Sequence, residues 1–186
     1  MKTGPSHAGS LARLCGAVMI ALAILPGLGA CHDTTRRPTD SAKETSMDDS
    51  LRTLDQHPGI AISIRQGTEH FRNGLVTLTI HGNGTVGVDQ LRAGKAAHYE
   101  KQLPPDRIRD LGRQLAEHRV SAPRKTSLPR QPGDTPLVLR VEGAGPAPFQ
   151  ADLWYGDRYK DSDLDAIIRL ADTLVNEVGG AAIGSP

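Results

Sequence analysis

The chain has 186 residues, with 22 Lys and Arg against 21 Asp and Glu and a formal net charge of +1. This length suits one domain of ordinary size, and a charge so close to zero gives no electrostatic basis for binding nucleic acid. The chain has two cysteines, Cys15 and Cys31. Because Cys15 falls within an apolar leader, only Cys31 would remain after export, and an internal disulfide is excluded.

The N-terminus has the layout of an export signal. Lys2 and Arg13 make it basic, and an apolar run over residues 14–25 is ended by Pro26. The run is too short to cross a bilayer comfortably, so residues 1–30 are predicted to be a secretory signal peptide. A transmembrane anchor with a short cytoplasmic tail is the alternative.

The cysteine that follows is the clearest site prediction. Leu28-Gly29-Ala30-Cys31 resembles the lipobox of bacterial lipoproteins. The resemblance implies cleavage between Ala30 and Cys31 and acylation of Cys31, palmitate included, with several chains sufficient for stable anchoring. An ordinary cleavage site before a free thiol is the alternative. An aspartate directly after the lipidated cysteine resembles a Gram-negative signal for inner-membrane retention. Here that position is His32, so the outer membrane, facing the periplasm, is predicted.

Polarity divides the rest of the chain. Residues 31–57 are rich in Thr, Ser, Asp and Arg and poor in large apolar side chains, which predicts a disordered tether. A single folded domain is predicted over residues 58–180, and a flexible C-terminus over 181–186.

The first half of this domain predicts three strands and a helix. Apolar residues alternate over 60–64, 76–80 and 86–88, which is the period of half-buried strands. His81-Gly82-Asn83-Gly84 predicts a hairpin because Asn-Gly tolerates positive φ. Residues 98–103 are a weaker strand candidate. A helix is predicted to open at Pro104-Pro105-Asp106, and Gly112 should weaken it by about 1 kcal/mol relative to alanine.

The second half predicts a proline-rich loop over 121–136, strands over 137–142 and 149–155, and a final helix. Ser162 and Asp165 approximate a capping box for that helix, and Gly179-Gly180 ends it. The predicted fold class is therefore α+β: an antiparallel sheet with two helices packed on one face, in the order β-β-β-α-β-β-α.

Two motifs that suggest cofactors are better explained by local structure. Residues 82–87 match G-x-G-x-x-G, but they lead into a strand and not into the helix that a dinucleotide site needs. The alternate aspartates from Asp161 to Asp165 suggest a calcium loop, yet Ala166 and Asp172 stand where the EF-hand needs glycine and glutamate. No metal site and no cofactor are therefore predicted.

Two surface features are candidates for partner binding. Arg124, Lys125 and Arg130 form a basic patch in the proline-rich loop, suited to anionic headgroups, lipopolysaccharide or an acidic partner. A solvated loop is the alternative for that patch.

The other candidate is an aromatic cluster. Trp154, Tyr155 and Tyr159 lie beside Arg158, a composition favoured at protein interfaces. Trp154 is equally compatible with a core position.

Residues 59–178 resemble uncharacterised bacterial lipoprotein domains in which a hairpin, here Asn83-Gly84-Thr85-Val86, precedes a helix, two strands and a final helix. Their plan is also similar to that of emfourin-type protease inhibitors. The cysteines of some relatives in the first group are absent here, so the resemblance implies a fold more than an activity.

No nucleophile elbow or metal-ligand spacing is present, so an enzyme is not predicted. The leading prediction is a lipid-anchored envelope protein that acts as a binding module. A protease inhibitor is the alternative, and a small hydrolase is third.

Overall fold

The computed structural model describes residues 46–70, 74–126, 129 and 134–180. The signal peptide, the lipobox with Ala30 and Cys31, and the C-terminus at 181–186 lie outside these described residues. Within the described ranges, no helix is long and apolar enough to span a bilayer.

Six antiparallel strands form one sheet in the order β4-β3-β2-β1-β5-β6. The strands are β1 Ala61–Gly67, β2 Leu75–His81, β3 Thr85–Arg92, β4 Lys95–Gln102, β5 Pro136–Glu142 and β6 Phe149–Trp154. The helices are α1 Met47–Arg52, α2 Pro105–Glu117 and α3 Ser162–Val178, with 3-10 turns at Leu54–Gln56 and Tyr155–Tyr159. The predicted α+β class is confirmed.

The core lies between the helices and one face of the sheet. Ile62 and Ile64 on β1 are buried, whereas the alternate residues Ser63 and Arg65 are more exposed. This alternation continues along β2 and β5, and the buried residues of all three helices join the same cluster. The sheet therefore has one covered face and one open, polar face.

The N-terminal helix corrects the predicted tether. The hydroxyl of Ser46 accepts a hydrogen bond from the Asp49 amide at 3.2 Å and caps α1. Leu51 and Leu54 are fully buried in the core. The prediction of a disordered tether over 31–57 is therefore wrong for residues 46–57, because two leucines suffice to dock a short helix. The part of the predicted tether before residue 46 lies outside the described residues.

The predicted hairpin is confirmed, with a different turn from the one that Asn-Gly favours. Gly84 has φ +97°, and its amide donates to the carbonyl of His81 at 3.0 Å. Asn83 keeps a negative φ, and its side chain accepts from the Thr85 amide at 2.9 Å. A three-residue loop thus ends in a left-handed glycine. Two glycines of the G-x-G-x-x-G match, Gly82 and Gly84, lie in this turn, whereas the third, Gly87, lies within β3.

The final helix begins one residue away from its predicted cap. Asp161, and not Ser162, is the N-cap, and its carboxylate accepts from the Leu164 amide at 2.9 Å. The predicted stop is confirmed, since Gly179 adopts φ +110° and the Gly180 amide bonds the Val175 carbonyl at 2.8 Å. The Asp161 cap fixes where the first turn of α3 meets the chain that leaves β6.

Candidate functional site

A cleft of about 770 Å³ opens where β6 ends and α3 begins. The 3-10 turn Tyr155–Tyr159 forms one wall, and the first turns of α3 form the other. We call it the tyrosine cleft. Its lining consists of two tyrosines, three cationic side chains, a serine and a carboxylate: Tyr155, Arg158, Tyr159, Lys160, Ser162, Asp165 and Arg169.

Arg158 forms the fixed floor of this cleft. Its side chain is only 13% exposed. Its Nε and Nη2 each lie 2.5 Å from Asp165 Oδ1, and its Nη1 donates to the Tyr155 hydroxyl. The guanidinium also lies 4.8 Å from the centroid of the Tyr155 ring, within the range of a cation–π interaction. Arg158 therefore holds Tyr155 and α3 together.

Asp165 is shared between two arginines. Its second oxygen accepts from Arg169 Nε at 2.8 Å. Burial acts to raise the pKa of Asp165, but the hydrogen bonds and charges of Arg158 and Arg169 outweigh it and lower that pKa. The carboxylate thus stays ionised, and it neutralises only part of the positive charge around it.

The rim of the cleft carries groups that are open to solvent. Tyr159 is 83% exposed, and it is the one large hydrophobic side chain so exposed among the described residues. Lys160 beside it is also exposed, and the described part of the chain supplies it with no ion-pair partner. The Arg169 side chain is 74% exposed. An aromatic ring flanked by two accessible cations is suited to recognition.

Asp172 on α3 is half-buried, and its carboxylate interacts electrostatically with Tyr155 and Arg158 and with the buried Gln66. Burial raises the pKa of Asp172, while the charge of Arg158 and a hydrogen-bonding interaction with Gln66 oppose the rise. Burial, and then the negative charge of Asp172, raises the pKa of the Tyr155 hydroxyl. Gln66 is 4% exposed, and its Oε1 has no hydrogen-bond partner among the described residues. The negative charge of Asp172 on α3 thus links Tyr155 and Arg158 electrostatically to that helix.

The structure brings together three of the four predicted aromatic-cluster residues. Tyr155, Arg158 and Tyr159 line the cleft, whereas Trp154 is the last residue of β6 and is partly buried. The Trp154 amide donates to Asp157 Oδ2 at 2.9 Å, which starts the 3-10 turn. Trp154 therefore positions the turn and is not part of the cleft lining.

Arg124 does not belong to the exposed basic patch that the sequence predicted, because its side chain is buried and paired. Its side chain is 7% exposed. It donates to the carbonyls of His118 at 2.8 Å and Arg119 at 2.6 Å, and to Asp161 Oδ2 at 2.9 Å. Arg124 thus joins the end of α2 to the start of α3. Lys125 is exposed, and Arg130 lies outside the described residues.

The alternate aspartates at the start of α3 each pair with arginine. Asp161 binds Arg124, and Asp165 binds Arg158 and Arg169. Asp163 lies 2.5 Å from Arg119 Nη2, and the hydrogen bond from Arg119 lowers the pKa of Asp163. These ion pairs account for the acidic run that suggested a calcium loop.

The sequence interpretation missed the α3 side of the cleft, to which Ser162, Asp165 and Arg169 belong. Their spacing of three and four residues places them on one face of a helix, and this face begins three residues after Tyr159. The polar face of α3, read at helical spacing, could have indicated them.

No protein-family model matches the chain, and no curated protein matches it either.

Proposed function

We propose that this protein is a lipid-anchored envelope protein whose folded domain binds another envelope component through the tyrosine cleft. The observation that carries the binding role is the 83% exposure of Tyr159 between two accessible cations, Lys160 and Arg169. Large exposed aromatic side chains with neighbouring arginines are favoured at interfaces. The fixed floor made by Arg158 supports recognition, because a pre-ordered surface loses less entropy on binding.

The anchoring role rests on the sequence alone. The leader and the lipobox ending in Cys31 support export and acylation. The described fold begins at Ser46, about fifteen residues after Cys31 in the sequence, so acylation of Cys31 would hold the domain at the membrane.

Replacing the lipidation site tests the anchor. We expect Cys31→Ser to lose acyl label and to appear in the soluble fraction or to remain unprocessed. If the Cys31→Ser protein is still acylated, or is still attached to membranes after processing, lipid anchoring through Cys31 is contradicted. The binding proposal would be unaffected.

Chemical crosslinking in intact cells tests the binding role. The wild-type chain should yield a discrete crosslinked partner, and Tyr159→Ala should lose it. Arg65→Ala is the matched control, because Arg65 is exposed on the open face of the sheet. Loss of the adduct in both variants, or in neither, would contradict a role for the cleft.

A further inference from the structure

Two charged side chains that line the cleft have hydrogen-bond donors with no described partner, and both are cations. Arg158 already engages all three of its nitrogens, since Nε and Nη2 contact Asp165 and Nη1 contacts the Tyr155 hydroxyl, and its side chain is only 13% exposed. Arg169 contacts Asp165 through Nε, so its two terminal nitrogens have no described partner. The Lys160 ammonium also has none within the described ranges. The charged groups of the cleft that remain available to a ligand are therefore the cations Arg169 and Lys160.

Charge complementarity indicates the occupant. Among the side chains that line the cleft, Arg158, Lys160 and Arg169 provide three positive charges and Asp165 one negative charge. The Asp172 carboxylate also acts on Arg158, so the positive charges still outnumber the negative ones. A guanidinium with two free terminal nitrogens matches the two oxygens of a carboxylate. The aromatic rings of Tyr155 and Tyr159 offer apolar surface beside that position.

We propose that the tyrosine cleft binds an acidic peptide segment of a partner protein. An Asp or Glu carboxylate of the partner pairs with Arg169 and Lys160, and an adjacent apolar side chain packs against Tyr159. This inference rests on the proposed function and names the chemistry of the partner.

The shape of the site favours a peptide over a membrane surface. The binding groups line a concave cleft of about 770 Å³, and the ionised Asp165 lies inside it. A bilayer presents a broad layer of phosphates that would approach this carboxylate together with the cations. A peptide can place one carboxylate on the rim and keep an uncharged side chain near Asp165.

A peptide titration tests the inference on the full chain purified in detergent. The probes are fluorescent synthetic peptides in which leucine alternates with glutamate, glutamine or lysine. We expect the glutamate peptide to bind at least about tenfold more tightly than the glutamine peptide, and the lysine peptide to bind weakest. The preference should fall with added salt, because the rim cations are exposed. Equal binding of the glutamate and glutamine peptides would overturn the inference.

Charge reversal locates the binding. Lys160→Glu combined with Arg169→Glu should abolish the preference for glutamate, and the milder Lys160→Gln with Arg169→Gln should reduce it. Arg140→Glu is the control, since Arg140 is exposed on the open face of the sheet. Thermal unfolding checks that each variant is folded. An unchanged preference in both double variants would overturn the inference.

Two further outcomes separate this inference from the function on which it rests. Flotation with phosphatidylglycerol vesicles, in the absence of peptide binding, would replace the acidic peptide with a membrane surface. A cellular crosslink that needs Tyr159 but survives both double variants would overturn the acidic partner while the proposed function stands. Failure to obtain any Tyr159-dependent crosslink would instead reject the proposed function.

Discussion

Gly112 shows how one residue reverses an expectation based on helix propensity. In an isolated helix, alanine would be better than glycine by about 1 kcal/mol. Here a Cβ at position 112 would lie 2.1 Å from the Leu51 carbonyl oxygen and 2.7 Å from the Leu54 Cβ. The missing side chain is thus the reason that the N-terminal segment can dock against α2.

We predict that Gly112→Ala lowers the free energy of unfolding by about 1–3 kcal/mol, because the new methyl group overpacks a backbone contact. Urea unfolding measures it. The control is Gly87→Ala, whose methyl group meets only the His98 ring, at 3.8 Å, and which should not destabilise. A stabilised Gly112→Ala would contradict the close approach of α1 to α2.

The contribution of Asp172 to the free energy of unfolding depends on pH. Its pKa is raised in the folded state, chiefly by burial, so folding favours the protonated acid. The penalty for ionising it is absent below the unfolded value, near 3.8, and is fully present above the folded pKa.

We therefore predict that Asp172→Asn stabilises the protein at neutral pH, by about 1 kcal/mol if the new amide also donates to the unpaired Gln66 Oε1. The pH-dependent part of this gain should vanish as the pH falls below 3.8. Thermal unfolding of both proteins across this pH range measures the difference. A gain that grows on acidification would have the wrong sign.

Helix α1 is an element that the spacing of apolar residues along the sequence cannot predict. Its six residues are too few to display a repeating apolar face. In the sequence, Leu51 and Leu54 are also flanked by polar residues. The longer α2 and α3 repeat their apolar positions over several turns, so their existence could be predicted. Strand β4 was only partly predicted because it is an edge strand with mostly exposed side chains.

We predict that Leu51→Ala destabilises the domain by about 2–5 kcal/mol, since it removes a fully buried side chain. The exposed neighbour Arg52 is the control, and Arg52→Ala should change stability by less than about 0.5 kcal/mol. Both values come from urea unfolding. If the two variants behave alike, α1 is not part of the cooperative core.

Arg124 connects α2 and α3. Its hydrogen bonds to two carbonyls and to Asp161 satisfy groups at the end of α2 and beside the cap of α3. We predict that Arg124→Ala lowers the free energy of unfolding by about 1.5–3 kcal/mol. The exposed Lys125 gives the matched control, and Lys125→Ala should be near neutral. Equal losses would show that Arg124 acts only as a surface charge.

For the whole molecule, the class of fold was more predictable than the candidate site. Strand alternation and helix caps are local, so the α+β class follows from short stretches of chain. The sequence grouped Trp154, Tyr155 and Tyr159 with Arg158 as a candidate interface but did not predict a cleft; Tyr155, Arg158 and Tyr159 line one wall of it. The relation of Gln66 on β1 to Asp172 on α3 depends on tertiary packing, and no sequence spacing encodes it.

The proposed binding role requires the tyrosine cleft to contact the partner. A photo-activatable amino acid placed at position 159 in living cells tests this contact directly, with position 65 on the open sheet face as the control. We expect a discrete adduct from position 159 and none from position 65. No adduct from position 159, or the same adduct from both positions, would contradict it.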